Sequence, residues 1–262
     1  MQLAAAAIDN TPEGRDASTA GVTPVIFLHG FGGLAAQWRG LRTGISFKAP
    51  TYALDLPGHG GSLDWPGFGP PKVAAKAVLA FMSANELENA HIVGHSMGGA
   101  VASLVGLMEP GRVASLTLLA PGGFGAEFNH PLLLRWAAAQ TRDELRDVMA
   151  SFFGPDYVIE DKVIEFQYQA RQRPGAIEAL VSIAEGMSSD GKQGMLPVDD
   201  LLATGLPISM IWGTEDKVLP VSQGLALKDR VDLHIAENTG HSPAEEQPQL
   251  VQAVILSQLK AQ

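Results

Sequence analysis

The sequence contains no cysteine. A chain without cysteine forms no disulfide, binds no metal through thiolates and has no cysteine nucleophile. It also lacks an apolar run of about 20 residues, which a membrane-spanning helix needs. The apolar stretch "LAAAAI" near the N-terminus is short and follows no positively charged segment, so we expect no signal peptide. These absences favour a cytoplasmic protein that does not enter a membrane.

Positive charge is also scarce, since 18 Lys and Arg residues face 28 Asp and Glu residues and the net charge is −10. No basic stripe is present, and we therefore expect no nucleic-acid partner and a small molecule as the ligand. The 262 residues, of which 46% are hydrophobic, suffice for one core with an added lid. The oligomeric state stays open.

Short apolar segments recur along the chain between glycines, prolines and helix-like stretches. Most are continuous rather than alternating, which favours strands of a parallel sheet that is covered on both faces. The predicted strands are 24–28, 51–54, 91–93, 115–119, 208–212 and 232–236, and the predicted helices around them are 72–84, 98–108 and 248–259. This alternation predicts an α/β fold with a mostly parallel, doubly wound sheet.

One long segment breaks the alternation, because no convincing strand lies between residues 120 and 207. Helical patterns and aromatic residues fill it instead, with predicted helices at 132–139, 142–153, 159–171 and 176–184. We predict a helical cap over residues 122–205, inserted between strands of a core that comprises 24–121 and 206–262. Residues 1–23 are expected to form a poorly ordered or short N-terminal segment.

The stretch "GHSMGG" places Ser96 between Gly94 and Gly98 at a predicted strand end and helix start. A serine at the tip of such a sharp turn projects out of the sheet, and its neighbours two residues away must be small. The N-terminus of the following helix favours negative charge nearby. Ser96 is therefore the candidate nucleophile; the alternative is a glycine-rich turn with an incidental serine.

A serine nucleophile needs a base, and the base needs an acid that orients it. His241, in the loop "ENTGHSPAEEQP" after the last predicted strand, is the candidate base, although a loop histidine can also be idle. Asp216, in "MIWGTEDKVLP", is the candidate acid, with the adjacent Glu215 as the alternative. The chain order Ser96, Asp216, His241 is the order that α/β-hydrolases use.

Two glycine-rich loops complete the predicted site. "FLHGFGG" follows the first strong strand, and we expect the N–H groups of Phe31 and Met97 to bind the oxyanion. In "DLPGHGGS" we interpret Asp55 and His59 as supports of the active-site loops, because the spacing suits neither a phosphate loop nor a metal site. No metal and no cofactor are expected.

Together, "HGFGG", "DLPGHGGS", "GHSMGG", "GTEDKVLP" and "GHSPAEEQP" resemble the serine-nucleophile branch of the α/β-hydrolase superfamily. "YALDLPGHGGS" and "RVASLTLLAP" are most similar to the hydrolase-type domain of chains named as the dihydrolipoyl acyltransferase component of acetoin dehydrogenase. No lipoyl-bearing module and no His-x-x-x-Asp-Gly motif are present, so we expect a free-standing hydrolase. Related enzymes with an aspartate nucleophile are disfavoured by Ser96.

The expected activity is hydrolysis of a carboxylic ester of small to medium size through an acyl-enzyme on Ser96. Carbon–carbon bond hydrolysis, acyl transfer and perhydrolysis use the same residues and stay open. A ligand receptor on the same fold and a scaffold partner of a dehydrogenase complex are alternatives outside enzymology, but neither needs all three residues of the triad.

Overall fold

The computed structural model describes residues 2–7 and 22–260, and a seven-stranded sheet forms the centre of this part of the chain. The strands are β1 (Ala5–Ala7), β2 (Val25–Leu28), β3 (Thr51–Leu54), β4 (Ala90–His95), β5 (Val113–Leu119), β6 (Ser188–Ser189), β7 (Lys192–Gln193), β8 (Ile208–Gly213) and β9 (Asp232–Ala236). The sheet order is β1-β3-β2-β4-β5-β8-β9, while β6 and β7 pair separately. Neighbours in the sheet are parallel except at the β1–β3 edge, which is antiparallel.

Helices connect the strands and cover the sheet. They are α1 (Arg39–Ile45), α2 (Pro71–Ala84), α3 (Met97–Met108), α4 (His130–Ala138), α5 (Arg142–Met149), α6 (Asp161–Arg171), α7 (Ala176–Gly186), α8 (Val198–Ala203), α9 (Ser222–Leu225), α10 (Pro243–Glu246) and α11 (Pro248–Lys260). Short 3₁₀ turns occur at Ala35–Trp38, Gly60–Ser62 and Pro110–Arg112. No helix in the described ranges has the length and apolar character needed to cross a membrane.

Both faces of the sheet are buried, which explains the continuous apolar strands. In β2, Val25 and Phe27 pack on the face covered by α1 and α11, whereas Ile26 and Leu28 pack on the face covered by α2 and α3. Side chains alternate between faces along a strand, so a strand covered on both sides must be apolar throughout. The predicted doubly wound α/β fold is confirmed.

Helices α4 to α8 lie in the chain between β5 and β8, as predicted for an inserted cap; the limits 122–205 stay a prediction. The segment also holds the hairpin β6–β7, where the sequence predicts no strand. Asp190 and Gly191 form its turn with φ values of 51° and 75°. Asp-Gly with positive φ at both positions is typical of a type I′ hairpin, so a turn signal was present in the sequence.

The predicted helix 142–153 is too long, because α5 ends at Met149. Beyond it, the backbone carbonyl of Phe152 accepts a hydrogen bond of 2.7 Å from the N–H of His241. The N–H of Gly154 donates to Glu246 at 2.7 Å. Backbone groups inside a continuing helix would be bonded within it, so the helix ends where the chain pairs with the histidine loop.

The N-terminal segment contributes a strand that the sequence analysis does not predict. Ala5–Ala7 pairs with β3 in antiparallel register, and three alanines carry too weak a strand preference to reveal it. The rest of the expected poorly ordered segment, residues 8–21, lies outside the described residues.

Candidate active site

The predicted site residues gather at one edge of the sheet. Phe31 follows β2, Ser96 follows β4, Asp216 follows β8 and His241 follows β9. These four strands are parallel, so their carboxyl ends meet at the same edge.

Ser96 occupies the sharp turn between β4 and α3 with φ 51° and ψ −115°. A positive φ is strained for a residue other than glycine and persists only where the surroundings enforce it. The close passage of strand and helix provides that constraint: a Cβ at Gly98 would collide with the carbonyl of Leu28, and one at Gly94 with the backbone of Gly98. The two flanking glycines of the motif are therefore required by geometry.

His241 and Asp216 form a buried pair. His241 Nδ1 lies 2.7 Å from Asp216 Oδ2, and the two side chains are 4% and 0% exposed. Asp216 Oδ1 accepts hydrogen bonds of 2.8 Å from the N–H groups of Val218 and Leu219. An ionised carboxylate only accepts, so the proton lies on Nδ1 and Nε2 of His241 is free to act as a base. Glu215, the alternative acid, is exposed.

Ser96 and His241 line the same cavity, but no hydrogen bond joins Ser96 Oγ to the imidazole among the described residues. Catalytic hydrogen bonds are often long or poorly aligned without substrate and tighten in the complex. The structure thus brings His241 and Asp216 into contact and Ser96 to the same cavity wall.

A second histidine holds the first in place. His95 Nε2 donates to the carbonyl oxygen of His241 at 2.6 Å. Burial lowers the pKa of His95 to about 3, so it is neutral at physiological pH. Glu246 accepts from the N–H groups of Gly240 at 3.0 Å and of Gly154 at 2.7 Å, which ties the histidine loop to the segment after α5. His95 and Glu246 both lie in the quoted sequence motifs, but the motifs alone do not reveal these roles.

The two N–H groups that are predicted to bind the oxyanion have no other hydrogen-bond acceptor among the described residues. Neither the N–H of Phe31 nor that of Met97 donates a hydrogen bond to another of the described residues. The Phe31 loop is held from two sides: Gly32 N donates to His59 Nε2 at 3.1 Å, and Trp136 Nε1 of α4 donates to the Phe31 carbonyl at 3.2 Å.

The interpretation of "DLPGHGGS" as loop support agrees with these contacts. Burial lowers the pKa of His59 to about 3, which keeps Nε2 an acceptor for Gly32. Asp55 accepts from Ala35 N at 2.7 Å and from Gly61 N at 2.8 Å. Trp136 is a further support that the sequence analysis misses, because its contact joins residues far apart in the chain.

Two cavities meet at Ser96, and Phe31 and Leu133 also line both. The one that includes His241, here the His-side cavity, has a volume of about 310 Å³. The one that includes Met97, here the Met97-side cavity, has a volume of about 370 Å³. Of the aromatic residues predicted in the cap, those that line the His-side cavity are Trp136, Phe152, Phe153 and Phe166.

Phe128 lines the Met97-side cavity. Tyr157 stacks on Phe153 and Tyr168 packs against Arg142, so both belong to the packing of the cap.

Within residues 2–7 and 22–260, no group of three or more His, Asp and Glu side chains is arranged to hold a metal ion.

Comparison with known proteins shows to which family the chain is similar. Residues 25–254 match the alpha/beta hydrolase family. The dihydrolipoyllysine-residue acetyltransferase component of the acetoin cleaving system from Cupriavidus necator is 31% identical over 223 residues, which cover 84% of this chain and 59% of that protein. The chain therefore spans about three fifths of the length of this relative. The resemblance stated from the sequence motifs is confirmed.

Several hydrolases are similar to this chain over most of its length and most of their own. The 2-hydroxy-6-oxo-6-phenylhexa-2,4-dienoate hydrolase of Burkholderia cepacia is 28% identical over 239 residues, covering 83% of this chain and 80% of the relative. The structure of a meta-cleavage product hydrolase from Pseudomonas fluorescens IP01 superposes with a TM-score of 0.81 and 25% identity over 91% of each chain.

Proposed function

The chain belongs to the alpha/beta hydrolase family and is an enzyme of the hydrolase type, and we propose that it hydrolyses carboxylic esters with Ser96 as nucleophile, His241 as base and Asp216 as the acid that orients the base. One observation carries this proposal: the buried 2.7 Å contact of His241 with Asp216 at the cavity that Ser96 lines. A structural histidine would need no aligned carboxylate and no open cavity on its other side.

In the first half-reaction, Ser96 Oγ attacks the ester carbonyl carbon while His241 Nε2 takes its proton. The carbonyl oxygen becomes an oxyanion, which accepts hydrogen bonds from the N–H groups of Phe31 and Met97. The imidazolium of His241, stabilised by Asp216, then protonates the departing alcohol oxygen, and the acyl group stays on Ser96.

In the second half-reaction, water replaces the alcohol. His241 takes a proton from this water as its oxygen attacks the acyl carbonyl. Collapse of the second tetrahedral intermediate breaks the bond to Ser96 Oγ, which receives the proton back from His241. The products are one carboxylic acid and one alcohol, and the enzyme is unchanged.

The two cavities suit the two halves of such a substrate. His241 must reach the leaving oxygen to protonate it, so the leaving group belongs in the His-side cavity. The acyl chain then belongs in the Met97-side cavity, beside apolar residues that include Met97, Ala100 and Leu104. Volumes of about 310 and 370 Å³ suit groups of small to medium size.

Hydrolysis of a carbon–carbon bond is the second candidate. It is favoured by the match to the meta-cleavage product hydrolase over 91% of both chains with a TM-score of 0.81. The same residues would serve: Ser96 takes the acyl half, and His241 protonates the departing carbon rather than an oxygen. Acyl transfer, which the name of the Cupriavidus necator relative suggests, replaces the water of the second half-reaction by another acceptor.

A set of assays separates these activities. We expect p-nitrophenyl esters from acetyl to decanoyl to be hydrolysed with a preferred acyl length and the Ser96→Ala variant to be inactive. Cleavage of 2-hydroxy-6-oxo-6-phenylhexa-2,4-dienoate, without turnover of any ester, would favour carbon–carbon hydrolysis instead. Formation of a new ester or thioester, seen only when an alcohol or a thiol acceptor is present, would favour acyl transfer.

A further inference from the structure

The wall of the His-side cavity carries a carboxyl group that the proposed mechanism does not use. Glu245 lies in α10, four residues after His241, and lines this cavity. Its Oε2 atom is buried and has no hydrogen-bond partner among the described residues. The adjacent Glu246 differs sharply, since its carboxylate accepts from the N–H groups of Gly154, Gly240 and Ser242.

A buried carboxyl oxygen without a hydrogen-bond partner is costly for the fold. Leaving a buried polar group without a hydrogen bond destabilises the folded state, and such groups are rare in folded proteins. Where one lines a cavity beside reactive residues, it is a candidate for contact with a ligand.

Apolar side chains form part of the cavity wall that Glu245 shares. The same cavity wall includes Met149, Phe152, Phe153 and Val163. Polar side chains, among them Gln37 and Gln167, also line this cavity, and the carboxyl of Glu245 adds one more polar group of the kind through which binding pockets commonly fix ligand orientation.

The charged and titratable groups around Glu245 are few. Glu246 follows it in α10, and its charge adds to the effect of burial on Glu245. Tyr157 lies near enough for the charge of Glu245 to raise its pKa, after the larger effect of burial. His95, His241 and Lys162 line the same cavity. Lys162 pairs with Glu160 at 2.7 Å and is 75% exposed.

We propose that Glu245 is a specificity-determining residue, whose carboxyl group hydrogen-bonds a hydroxyl group on the leaving half of the substrate. The inference rests on the proposed function, because it is the role of His241 that assigns the leaving half to this cavity. It adds a chemical class to that function: esters of alcohols that carry a second hydroxyl.

An uncharged hydroxyl fits this wall better than an ion does. The guanidinium of Arg171 stacks on the lining residue Trp136 at 4.0 Å, so a cationic ligand would meet positive charge behind this part of the wall. An anionic ligand would meet the negative charges of Glu245 and Glu246. A hydroxyl group can donate to the carboxylate or share a proton with the carboxylic acid.

The protonation of Glu245 supports the same assignment. Burial raises the pKa of Glu245 to about 7, so both forms of the group are populated near neutral pH. The ionised form is the stronger acceptor. A hydroxyl that donates to it is therefore held more strongly as the pH rises.

Matched ester pairs test the proposal. Each pair shares one acyl group; one member carries an ω-hydroxyalkyl alcohol of two to six carbons, and the other an alkyl alcohol with the same number of heavy atoms. The readout is the ratio of kcat/KM for the hydroxy ester to that for the alkyl ester. The ratio cancels the chemistry that both members share and the pH dependence of that chemistry.

We expect Glu245→Leu to lower this ratio about tenfold at one or two chain lengths, the effect of a lost hydrogen bond of about 1.4 kcal/mol. Glu245→Gln keeps the shape and polarity but not the ionisation, so its ratio is expected to stay constant from pH 6 to pH 8, while that of the wild type rises. Glu237→Leu removes an exposed glutamate four residues before His241 and serves as the matched control. Thermal melting identifies any variant that fails to fold.

The outcomes separate this inference from the proposed function. Ester hydrolysis that depends on Ser96, with a ratio unchanged by Glu245→Leu at every length, overturns the role of Glu245 alone. If no ester is hydrolysed, the proposed function fails. A binding measurement then tests whether the carboxyl of Glu245 contacts a hydroxyl group. Ligand-observed NMR would then compare 1,6-hexanediol with 1-heptanol on Ser96→Ala, with and without Glu245→Leu. Loss of diol binding in the double variant supports the contact, and equal binding overturns it.

Discussion

His95 donates its Nε2–H to the carbonyl oxygen of His241 at 2.6 Å, and the two rings pack with centroids 5.0 Å apart. The residue that precedes the candidate nucleophile thus fixes the backbone of the candidate base. This contact joins the turn after β4 to the loop after β9 and therefore couples the positions of two groups that act together in the proposed mechanism.

The first prediction concerns this contact. His95→Phe keeps a ring of similar size but removes the donor, so the His241 carbonyl loses a buried partner. We expect kcat to fall about 10-fold to 100-fold with little change in KM, and the free energy of unfolding to fall by about 1–3 kcal/mol. His95→Gln, which can restore a donor, should recover part of kcat. Equal loss in both variants would mean that ring packing, not the hydrogen bond, matters.

Removal of the candidate nucleophile should separate activity from stability. Ser96→Ala is expected to lower kcat/KM for the preferred ester by about 10³-fold or more, because no described side chain replaces the hydroxyl. The positive φ of 51° stays unfavourable for alanine, so we expect no gain in melting temperature beyond a few degrees. Full activity of a homogeneous variant would assign the nucleophile elsewhere.

The two candidate acids give a matched comparison. Asp216→Asn should lower kcat by about 10³–10⁴-fold, because an amide no longer selects the His241 tautomer that leaves Nε2 unprotonated. Glu215→Gln should change kcat less than about threefold, because Glu215 is exposed and isolated surface charges contribute little. Steady-state kinetics on one ester suffices. The reverse ranking would transfer the role to Glu215.

Gly240 tests how closely the histidine loop must approach the segment after α5. A Cβ at Gly240 would lie 2.6 Å from the carbonyl oxygen of Phe152 and 2.8 Å from Gly154 N. Gly240→Ala must therefore displace the loop that carries His241, and we expect kcat to fall about 10-fold to 100-fold. Gly111→Ala is the control, because a Cβ there meets nothing within 4 Å. Equal kinetics in the two variants would contradict the expectation.

Local sequence patterns predicted the sheet and the positions of the candidate site residues. The continuous apolar strands predicted the doubly wound sheet, because a strand covered on both faces admits few polar residues. The glycines around Ser96 predicted its turn, because no larger residue fits beside the backbone there. Asp216 and His241 each follow a strand, so the parallel sheet alone brings them to one edge.

What the sequence analysis missed depends on distant backbone contacts. The end of α5 at Met149 follows from the bond between Phe152 and His241, which no local pattern contains. Trp136 was assigned only to the cap, but its contact with Phe31 needs the cap to be placed over the sheet. Glu245 was one of several acidic residues in a loop; its Oε2 atom without a hydrogen-bond partner distinguishes it from Glu246, whose carboxylate accepts three backbone N–H groups.

The last prediction concerns how stability depends on pH at Glu245. Burial raises the pKa of Glu245 in the folded protein to about 7, from an ordinary value of 4.5. Below pH 4.5 both states hold the proton, and the group does not affect stability. Between these pKa values the unfolded chain releases the proton while the folded protein retains it, so stability falls as the pH rises to about 7 and then levels off.

Glu245→Gln isolates this contribution, because the amide has the same shape and does not titrate. We expect the free energy of unfolding of the variant, relative to that of the wild type, to rise by about 1–3 kcal/mol between pH 5 and pH 8, measured by urea unfolding. Burial also lowers the pKa of His29 and His91 to about 4; these histidines lower stability at acidic pH, but they do so equally in both proteins and cancel in the difference. If the free energies of unfolding of the two proteins change in parallel with pH, the carboxyl of Glu245 is as well solvated in the folded protein as in the unfolded chain. A carboxyl that already binds water in this way would gain little from a hydrogen bond to a substrate hydroxyl.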